Sequence, residues 1–199
     1  MIRQRHSITD IIKILQASKL RALTTADLKK LLDISNNNTA NITANKLVKN
    51  KILLPLKKGL YASILYPPED FEVANLLYPP SYVSLESALS LYGMLSQFPY
   101  VITSVSPKKT KRFLAQDKEY EYIQIKKEYF MGFIKKGPFL IASPEKALVD
   151  LLYLASKGLR HIDIKELDLS KINKRELVSS IKTINHLPFQ KLCKELGLC

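Results

Sequence analysis

The stretch NNNTANITANKLVKN at positions 36–50 decides how the N-terminal part of this chain folds. On a helical wheel at about 100° per residue, small and apolar side chains share one side, at Ala40, Ala44, Leu47 and Val48. The opposite side carries amides, a hydroxyl, one isoleucine and two lysines, at Asn38, Thr39, Ile42, Asn45, Lys46 and Lys49. The stretch contains no acidic residue. We therefore predict a helix over about residues 39–50 that buries one side and leaves a carboxylate-free surface on the other.

The segments around this helix predict the remaining elements of a winged helix-turn-helix. Apolar residues at helical spacing predict a first helix over residues 9–17, and Thr24 is the expected N-cap of a second helix. The buried stripe of this second helix is expected at Leu28, Leu31 and Leu32. Beyond the third helix, the pattern predicts a strand, a turn and a strand at residues 52–56, 57–59 and 60–65. Three helices followed by a hairpin are typical of a winged helix-turn-helix, a DNA-binding module.

The residue types on the outer side of the third helix suit double-stranded DNA. Asn amides pair with adenine edges in the major groove, lysines pair with guanine or phosphate, and apolar groups meet the thymine methyl. Arg21 and the two hairpin lysines could add phosphate contacts. The predicted DNA-binding residues are Asn38, Thr39, Ile42, Asn45, Lys46, Lys49, Lys57 and Lys58. The alternative is a solvated polar helix in a small domain that only packs or dimerises.

The distribution of charge agrees with a polyanionic partner. The 199 residues include 31 Lys and Arg against 18 Asp and Glu, for a net charge of +13. Residues 1–66 hold 12 of these basic residues and three acidic ones, whereas residues 67–199 hold 19 and 15. Such an excess favours nucleic acid or an anionic membrane surface. Because Pro67 and Pro68 interrupt both helix and sheet, we predict two domains, 1–66 and 67–199.

Membrane insertion, secretion and metal binding are not expected from this sequence. The apolar stretch 83–105 is interrupted by Glu86, Pro99 and several serines, whereas a spanning helix needs about 20 apolar residues. The N-terminus lacks the apolar core of a signal peptide. The cysteines Cys193 and Cys199 show no metal-ligand spacing, and the three histidines are scattered. We expect a cytoplasmic protein with no metal and no other cofactor.

The C-terminal two thirds predict a mixed α+β domain. Ser84 and Ser143 are expected N-caps, and Pro144 suits the first position of a helix. The predicted elements are a connecting helix at 71–78, a helix at 84–93, strands at 100–105, 119–126 and 139–142, a helix from Ser143 to about Lys157, and helices starting at Asn173 and Pro188. The whole chain is therefore expected to be α+β, with a winged helix-turn-helix first.

Two groups of residues in this second domain are candidates for chemistry. Lys108, Lys109, Lys111 and Arg112 could bind phosphates of DNA, RNA or a nucleotide, or could be a solvated loop. The carboxylates of Glu86, Glu145 and Asp150 could serve catalysis or Mg²⁺, but the first two sit where helix N-termini favour anions. Glu121 lacks the nuclease-like spacing in which an acid precedes lysine by two residues. We expect no enzymatic activity.

Four segments of the second domain resemble the AbiEi antitoxin family. They are YVSLESALSLYGML at 82–95, ITSVSPKKTKRF at 102–113, YIQIKKEYFMGF at 122–133 and IASPEKALVDLLYL at 141–154. The segment GLYAS at 59–63, after the predicted wing, is also similar to the family's pattern. The resemblance implies an N-terminal winged helix and a C-terminal antitoxin domain.

The resemblance further implies a type IV toxin–antitoxin pair associated with abortive phage defence. An antitoxin of this family represses its own operon at inverted repeats and counteracts a nucleotidyltransferase-like toxin without needing a stable complex. The sequence thus predicts a DNA-binding antitoxin and autorepressor. The alternatives are a winged-helix regulator whose second domain senses a ligand or oligomerises, and a metal-dependent enzyme acting on nucleic acid.

Overall fold

A computed structural model describes residues 7–97, 99–161 and 163–198. The chain forms two compact units that divide between Glu69 and Asp70. The sequence predicted the division three residues earlier, after Tyr66. The fold class is α+β, as predicted. Among the described residues, no helix combines the length and the apolar composition that crossing a bilayer requires. Cys199, for which we predicted no chemistry, lies outside the described residues.

The N-terminal unit, unit 1, consists of three helices and a three-stranded antiparallel sheet. Its elements are α1 (Ile8–Ser18), β1 (Ala22–Thr24), α2 (Thr25–Leu31), α3 (Asn37–Lys49), β2 (Leu53–Lys57) and β3 (Leu60–Ser63). The strands lie in the order β1-β3-β2, so β3 is central. Pro55 lacks an amide hydrogen but is accommodated because β2 is an edge strand, and the pairing shifts between Pro55 and Lys57. The helices and the hairpin agree with the prediction, and β1 is an additional strand.

Two capping boxes fix where the first two helices begin. The Ser7 hydroxyl accepts from the Asp10 amide, and the Asp10 carboxylate accepts from the backbone and hydroxyl of Ser7. Thr24 and Asp27 repeat this arrangement before α2. Each such cap stabilises a helix by about 1 kcal/mol. The helices and the sheet enclose one core, formed by Ile11, Leu15, Leu23, Leu28, Leu32, Ala44, Leu47, Leu53 and Tyr61.

The C-terminal unit, unit 2, is built around a six-stranded mixed sheet. Its elements are α4 (Asp70–Leu77), β4 (Tyr82–Val83), α5 (Leu85–Leu91), β5 (Ile102–Ser106), β6 (Lys111–Ala115), β7 (Lys118–Gln124), β8 (Phe133–Lys136), β9 (Phe139–Ala142), α6 (Pro144–Ser156), α7 (Lys174–Lys182) and α8 (Leu187–Glu195). The strand order is β6-β7-β5-β4-β9-β8. Pairs β5–β7 and β4–β9 are parallel, and the others are antiparallel.

Helices cover both faces of this sheet. The Tyr122 hydroxyl donates to the Ala74 carbonyl, so α4 lies on the face to which Tyr122 points. Thr103 points to the other face, where its hydroxyl accepts from the Ser87 amide of α5. Helix α6 packs against α5. This arrangement buries the aromatic rings of Tyr120 and Tyr122.

Three strands of the sheet differ from the prediction, and the first of them, β4, has only two residues and was not predicted. Lys111 and Arg112 were predicted in a basic loop but belong to β6, which pairs with β7. Strand β8 was not predicted, because its apolar residues are followed directly by two lysines and a turn at Gly137. Strands β6 and β8 lie at the edges of the sheet, where only one neighbouring strand shields their side chains.

Candidate nucleic-acid interface

Helix α3 separates its two sides as the wheel predicted. Asn36 is its N-cap, and the Asn36 side chain accepts from the Asn38 amide. Ala40, Ala44 and Leu47 are completely buried, whereas Val48 is half-buried against the core. The small side chains at 40 and 44 allow α3 to approach the rest of the unit closely. The buried side therefore fixes which side of the helix faces solvent.

All six residues predicted on the outer side are exposed. We call them the α3 face, and they are Asn38, Thr39, Ile42, Asn45, Lys46 and Lys49. Ile42, the one apolar residue among the six, is 61% exposed. Neither lysine of this face forms an ion pair in the described part of the chain. The two ammonium groups of the α3 face are therefore not neutralised by any carboxylate in the described residues.

A surface depression of about 560 Å³ adjoins this face between α2 and α3. It is lined by Thr25, Ala26, Lys29, Lys30, Asn37 and Asn41. The Lys29 ammonium donates to the Asn37 amide oxygen at 2.7 Å, which joins the two helices. The hydroxyl of Thr25 is buried and has no hydrogen-bond partner among the residues that the structure describes. The depression adds lysines and amides that the prediction did not include.

Asn41 could have been found from the sequence, but the lysines could not. On the wheel Asn41 lies only about 40–60° from Asn38 and Asn45, at the border of the outer side. Lys29 and Lys30 belong to another helix, and only the packing of α2 on α3 brings them to the same surface.

The hairpin brings one lysine of the predicted pair to its turn, not two. Lys58 is exposed in the turn with Gly59, whose positive φ of 75° suits a residue without a side chain. Lys57 was predicted in the turn, but it is the last residue of β2 and is half-buried. The Thr25 amide donates to the Gly59 carbonyl at 3.1 Å. This hydrogen bond holds the turn against the start of α2, beside the depression.

Arg21, considered from the sequence as an additional phosphate contact, forms hydrogen bonds within unit 1. Its guanidinium donates twice to the Pro67 carbonyl, at 2.9 and 3.2 Å, and pairs with Glu69 at 3.4 Å. Residues 1–66 contain three acidic residues. Two of them, Asp10 and Asp27, form the capping boxes of α1 and α2. Neither of these carboxylates belongs to the α3 face.

The basic segment of unit 2 is exposed but largely occupied by internal contacts. Lys108 donates to the Pro79 carbonyl and lies 5.4 Å from the ring centroid of Tyr78. Lys111 lies 4.9 Å from the ring centroid of Phe113. Arg112 pairs with Glu119 at 3.1 Å and with Glu121 at 2.6 Å. Of the four predicted residues, Lys109 alone has a side chain without such a contact in the described chain.

Glu121 is held in its charged form by two arginines. Its side chain is 9% exposed and accepts hydrogen bonds from Arg112 and Arg160. Burial raises the pKa of this carboxyl, but hydrogen bonds from Arg112 and Arg160, together with their charges, outweigh burial and lower the pKa overall. Arg160 also approaches Glu86 at 3.8 Å. These contacts account for two of the acidic residues considered for catalysis.

The other two acidic candidates, Asp150 and Glu145, are buried in the interior of unit 2. Asp150 is fully buried and accepts from Tyr82, Ser84 and Lys146. Burial raises the pKa of Asp150, against the opposing effect of the Lys146 ammonium and the two hydroxyls. Burial, followed by the charge of Asp150, holds the pKa of Tyr82 well above its usual value. Asp150, considered from the sequence as a possible catalytic or Mg²⁺-binding carboxylate, is therefore engaged in contacts within unit 2.

Glu145 links two helices instead of facing a ligand. It is buried, and its carboxylate accepts from the Asn173 backbone at 2.9 Å, at the N-cap of α7. Within the described ranges, no group of three or more His, Cys, Asp or Glu side chains is placed to hold a metal ion. The candidate acidic residues thus form three separate contact sets, around Asp150, Glu145 and Glu121.

Comparison with known proteins finds a structure with a similar fold but gives no information about function. No protein-family model matches this chain, and no curated protein matches it. Among solved structures, it is similar to the crystal structure of the RV2827C protein from Mycobacterium tuberculosis, with a TM-score of 0.55 and 16% sequence identity. The similarity covers 96% of this chain and 73% of that one. At this identity the similarity shows the α+β fold alone.

Proposed function

We propose that unit 1 is a winged helix-turn-helix that binds duplex DNA with α3 in the major groove. The hairpin of β2 and β3 would be the wing, and the protein would act in the cytoplasm as a repressor of its own operon. The α3 face carries this proposal, because it combines exposed amides, an exposed Ile42 and two lysines that form no ion pair within the described residues, with no carboxylate. Such a surface gains from a polyanion whose edges offer hydrogen bonds and methyl groups.

The surroundings of the α3 face support the same partner. Lys30, which lines the adjoining depression, and Lys58 in the hairpin turn are both exposed. Contacts from such lysines to phosphates would set the position of α3 without reading sequence. Base contacts and phosphate contacts therefore have separate residues in this proposal.

The test compares two pairs of lysines that differ only in location. A labelled duplex from the region upstream of this reading frame is titrated with the full chain by fluorescence anisotropy. The variant Lys46→Ala/Lys49→Ala should bind more weakly and flatten the dependence of log affinity on log salt by up to about 1.8, since each phosphate contact contributes about 0.9. The control Lys174→Ala/Lys191→Ala removes the same charge from exposed positions of unit 2 and should change neither value. Equal losses in the two variants would refute the assignment of α3.

We further propose that unit 2 is an antitoxin domain that counteracts a nucleotidyltransferase-like toxin by a non-enzymatic route. The resemblance of four segments to the AbiEi family supports this proposal. Those segments contain β4, α5 and β5, most of α6, and parts of β6, β7, β8 and β9. Tyr82 and Ser84 of the first segment bind Asp150 of the last. The resemblance therefore concerns one contiguous folded unit.

Co-expression separates the antitoxin role from repression. The full chain, expressed from an independent promoter, should restore growth of cells that express the neighbouring nucleotidyltransferase-like toxin. The variant Asn38→Ala/Asn45→Ala/Lys46→Ala should restore growth equally well, because it alters only unit 1, while it loses repression of an operon reporter. Failure of the unaltered chain to restore growth would refute the antitoxin role and favour a plain regulator.

A further inference from the structure

The first nine residues of α3, from Asn37 to Asn45, contain no charged side chain. Two of the polar side chains in this stretch are used inside the protein. The Asn37 amide oxygen accepts from Lys29, and the Thr43 hydroxyl donates to the Thr39 carbonyl at 2.9 Å. In the part of the chain that the structure describes, the side-chain amides of Asn38, Asn41 and Asn45 form no hydrogen bond.

These three amides lie along one strip of the helix. Their spacing of three and four residues places them on successive turns, and Ile42 lies between them. From Asn38 to Asn45 the helix rises about 10 Å, at about 1.5 Å per residue. That length corresponds to about three base steps, at about 3.4 Å each along one strand. The strip therefore matches three to four consecutive base pairs in length.

The chemistry of the strip selects among the four base pairs. An Asn amide can donate to N7 and accept from N6 of adenine at the same time, and an apolar group contacts the C5-methyl of thymine. Guanine is read mainly by Arg or Lys and cytosine by Asp or Glu. None of these residues occurs in α3 before Lys46. Recognition helices contact bases mainly through their N-terminal residues. We therefore expect the lysines in the last turn of α3 to contact phosphates.

We propose that α3 recognises a run of about three to four A·T base pairs, with Asn38, Asn41 and Asn45 on adenines and Ile42 on a thymine methyl. This inference rests on the proposed DNA-binding function and names the sequence class that the α3 face reads. It also gives Asn41, which lines the depression, a role in recognition.

Selection from a random duplex pool gives the first test. The full chain is incubated at low salt with duplexes that carry a randomised centre, and retained molecules are sequenced over several rounds. We expect enrichment of sites in which each half contains an A·T run. Enrichment of G·C pairs at the conserved centre of each half would overturn the inference while leaving DNA binding in place. A pool from which no duplex is retained would overturn the proposed function and this inference together.

Single-atom changes in the selected duplex give the second test. Replacing a central adenine by 7-deazaadenine removes the N7 acceptor and keeps the base pair, and replacing thymine by uracil removes the methyl group. The first change should weaken binding about tenfold at a contacted position, and the second should weaken it by a smaller factor. Affinity unchanged by 7-deazaadenine at every position of the run would overturn the inference.

Protein variants then assign the contacts. Asn38→Ala, Asn41→Ala and Asn45→Ala should each weaken binding to the unmodified duplex, and each should be insensitive to 7-deazaadenine at one position. The matched control Asn185→Ala removes an exposed amide from unit 2 and should retain the full response to 7-deazaadenine. A full response in all three α3 variants would contradict the assignment of the amides to adenine.

Discussion

The α3 face and the basic segment of unit 2 are both exposed and rich in polar side chains, but they differ in what the protein does with them. Lys108, Lys111 and Arg112 contact a carbonyl, aromatic rings and carboxylates of their own unit. Asn38, Asn45 and Lys46 have no such partners in the described chain. Positive charge alone would rank the two regions alike. The two regions differ in their internal side-chain contacts, and this difference favours the α3 face as the surface that binds another molecule.

The largest effect should come from breaking a contact that unit 2 uses internally. Asp150→Ala would leave the Lys146 ammonium buried without its carboxylate, and such a loss destabilises a protein by about 3–5 kcal/mol. Urea unfolding followed by circular dichroism measures the change. Glu195→Ala, at an exposed position of α8, serves as the control and should change the free energy of unfolding by less than about 0.5 kcal/mol. Equal stability of Asp150→Ala and the unaltered protein would contradict the buried ion pair.

The next effect should fall on DNA binding and leave stability unchanged. Asn45→Ala removes a side chain that makes no internal hydrogen bond in the described structure, so we expect a loss of about 1–3 kcal/mol in specific binding only. Arg112→Ala should lower the free energy of unfolding and leave DNA affinity unchanged, because Arg112 pairs with Glu119 and Glu121 of its own unit. Anisotropy titration and urea unfolding of both variants give the four values. A comparable loss of DNA affinity in both would remove the contrast between the two regions.

A smaller effect should appear as a pH dependence of stability. The lowered pKa of Glu121 means that its contribution is present above the unfolded-state value of about 4.3 and is lost as pH falls through the lower folded-state pKa. Glu121→Gln should therefore lower the free energy of unfolding by about 1–2 kcal/mol at neutral pH. The difference from the unaltered protein should shrink as the pH falls below about 4.

The control for this pH dependence is Glu195→Gln, since Glu195 is exposed and forms no ion pair in the described chain. Its curve of stability against pH should follow that of the unaltered protein. A difference between Glu121→Gln and the unaltered protein that stays constant from neutral pH to pH 3 would contradict the part assigned to the two arginines.

The smallest effect should distinguish the two lysines of the hairpin. Lys58→Ala should lower affinity for all duplexes by less than about 1 kcal/mol and reduce the salt slope by about 0.9, since Lys58 is exposed in the turn. Lys57→Ala should change the salt slope less, because Lys57 is half-buried at the end of β2. Titrations over a range of salt concentrations measure both slopes. A larger change of slope for Lys57→Ala would contradict the observed geometry of the turn.

Periodicity predicted the elements of unit 1 whose sides differ in polarity. Helix α3 was predicted at 39–50 and observed at Asn37–Lys49, since its buried alanines and exposed amides follow the helical repeat. Strand β1 was missed because three residues between two helices are too few to show alternation. Strand β6 was interpreted as a loop because its leading residues are basic, and its pairing with β7 is a tertiary contact.

The candidate site could be predicted only as far as one helix determines it. The outer side of α3 follows from the wheel, which needs no other part of the chain. The position of Lys29 and Lys30 beside α3 depends on the packing of α2. The ion pair of Arg21 depends on Glu69, 48 residues further along the chain. The burial of Asp150 likewise depends on Tyr82 and Ser84, far away in sequence. Periodicity in the sequence predicts which side of a helix or strand is buried. Contacts between residues that are far apart in the sequence become known only from the folded structure.

The hydrogen bond between the Thr25 amide and the Gly59 carbonyl bears on the kinetics of complex formation. Because the hairpin is already docked on α2, encounter with a duplex requires little further ordering of the chain, and little conformational entropy is lost at that step. Association should then be limited by diffusion and orientation, and long-range attraction between the cations and the phosphates should accelerate it. Differences in affinity between related duplexes would accordingly arise from dissociation rates, and the residence time would report the quality of base recognition.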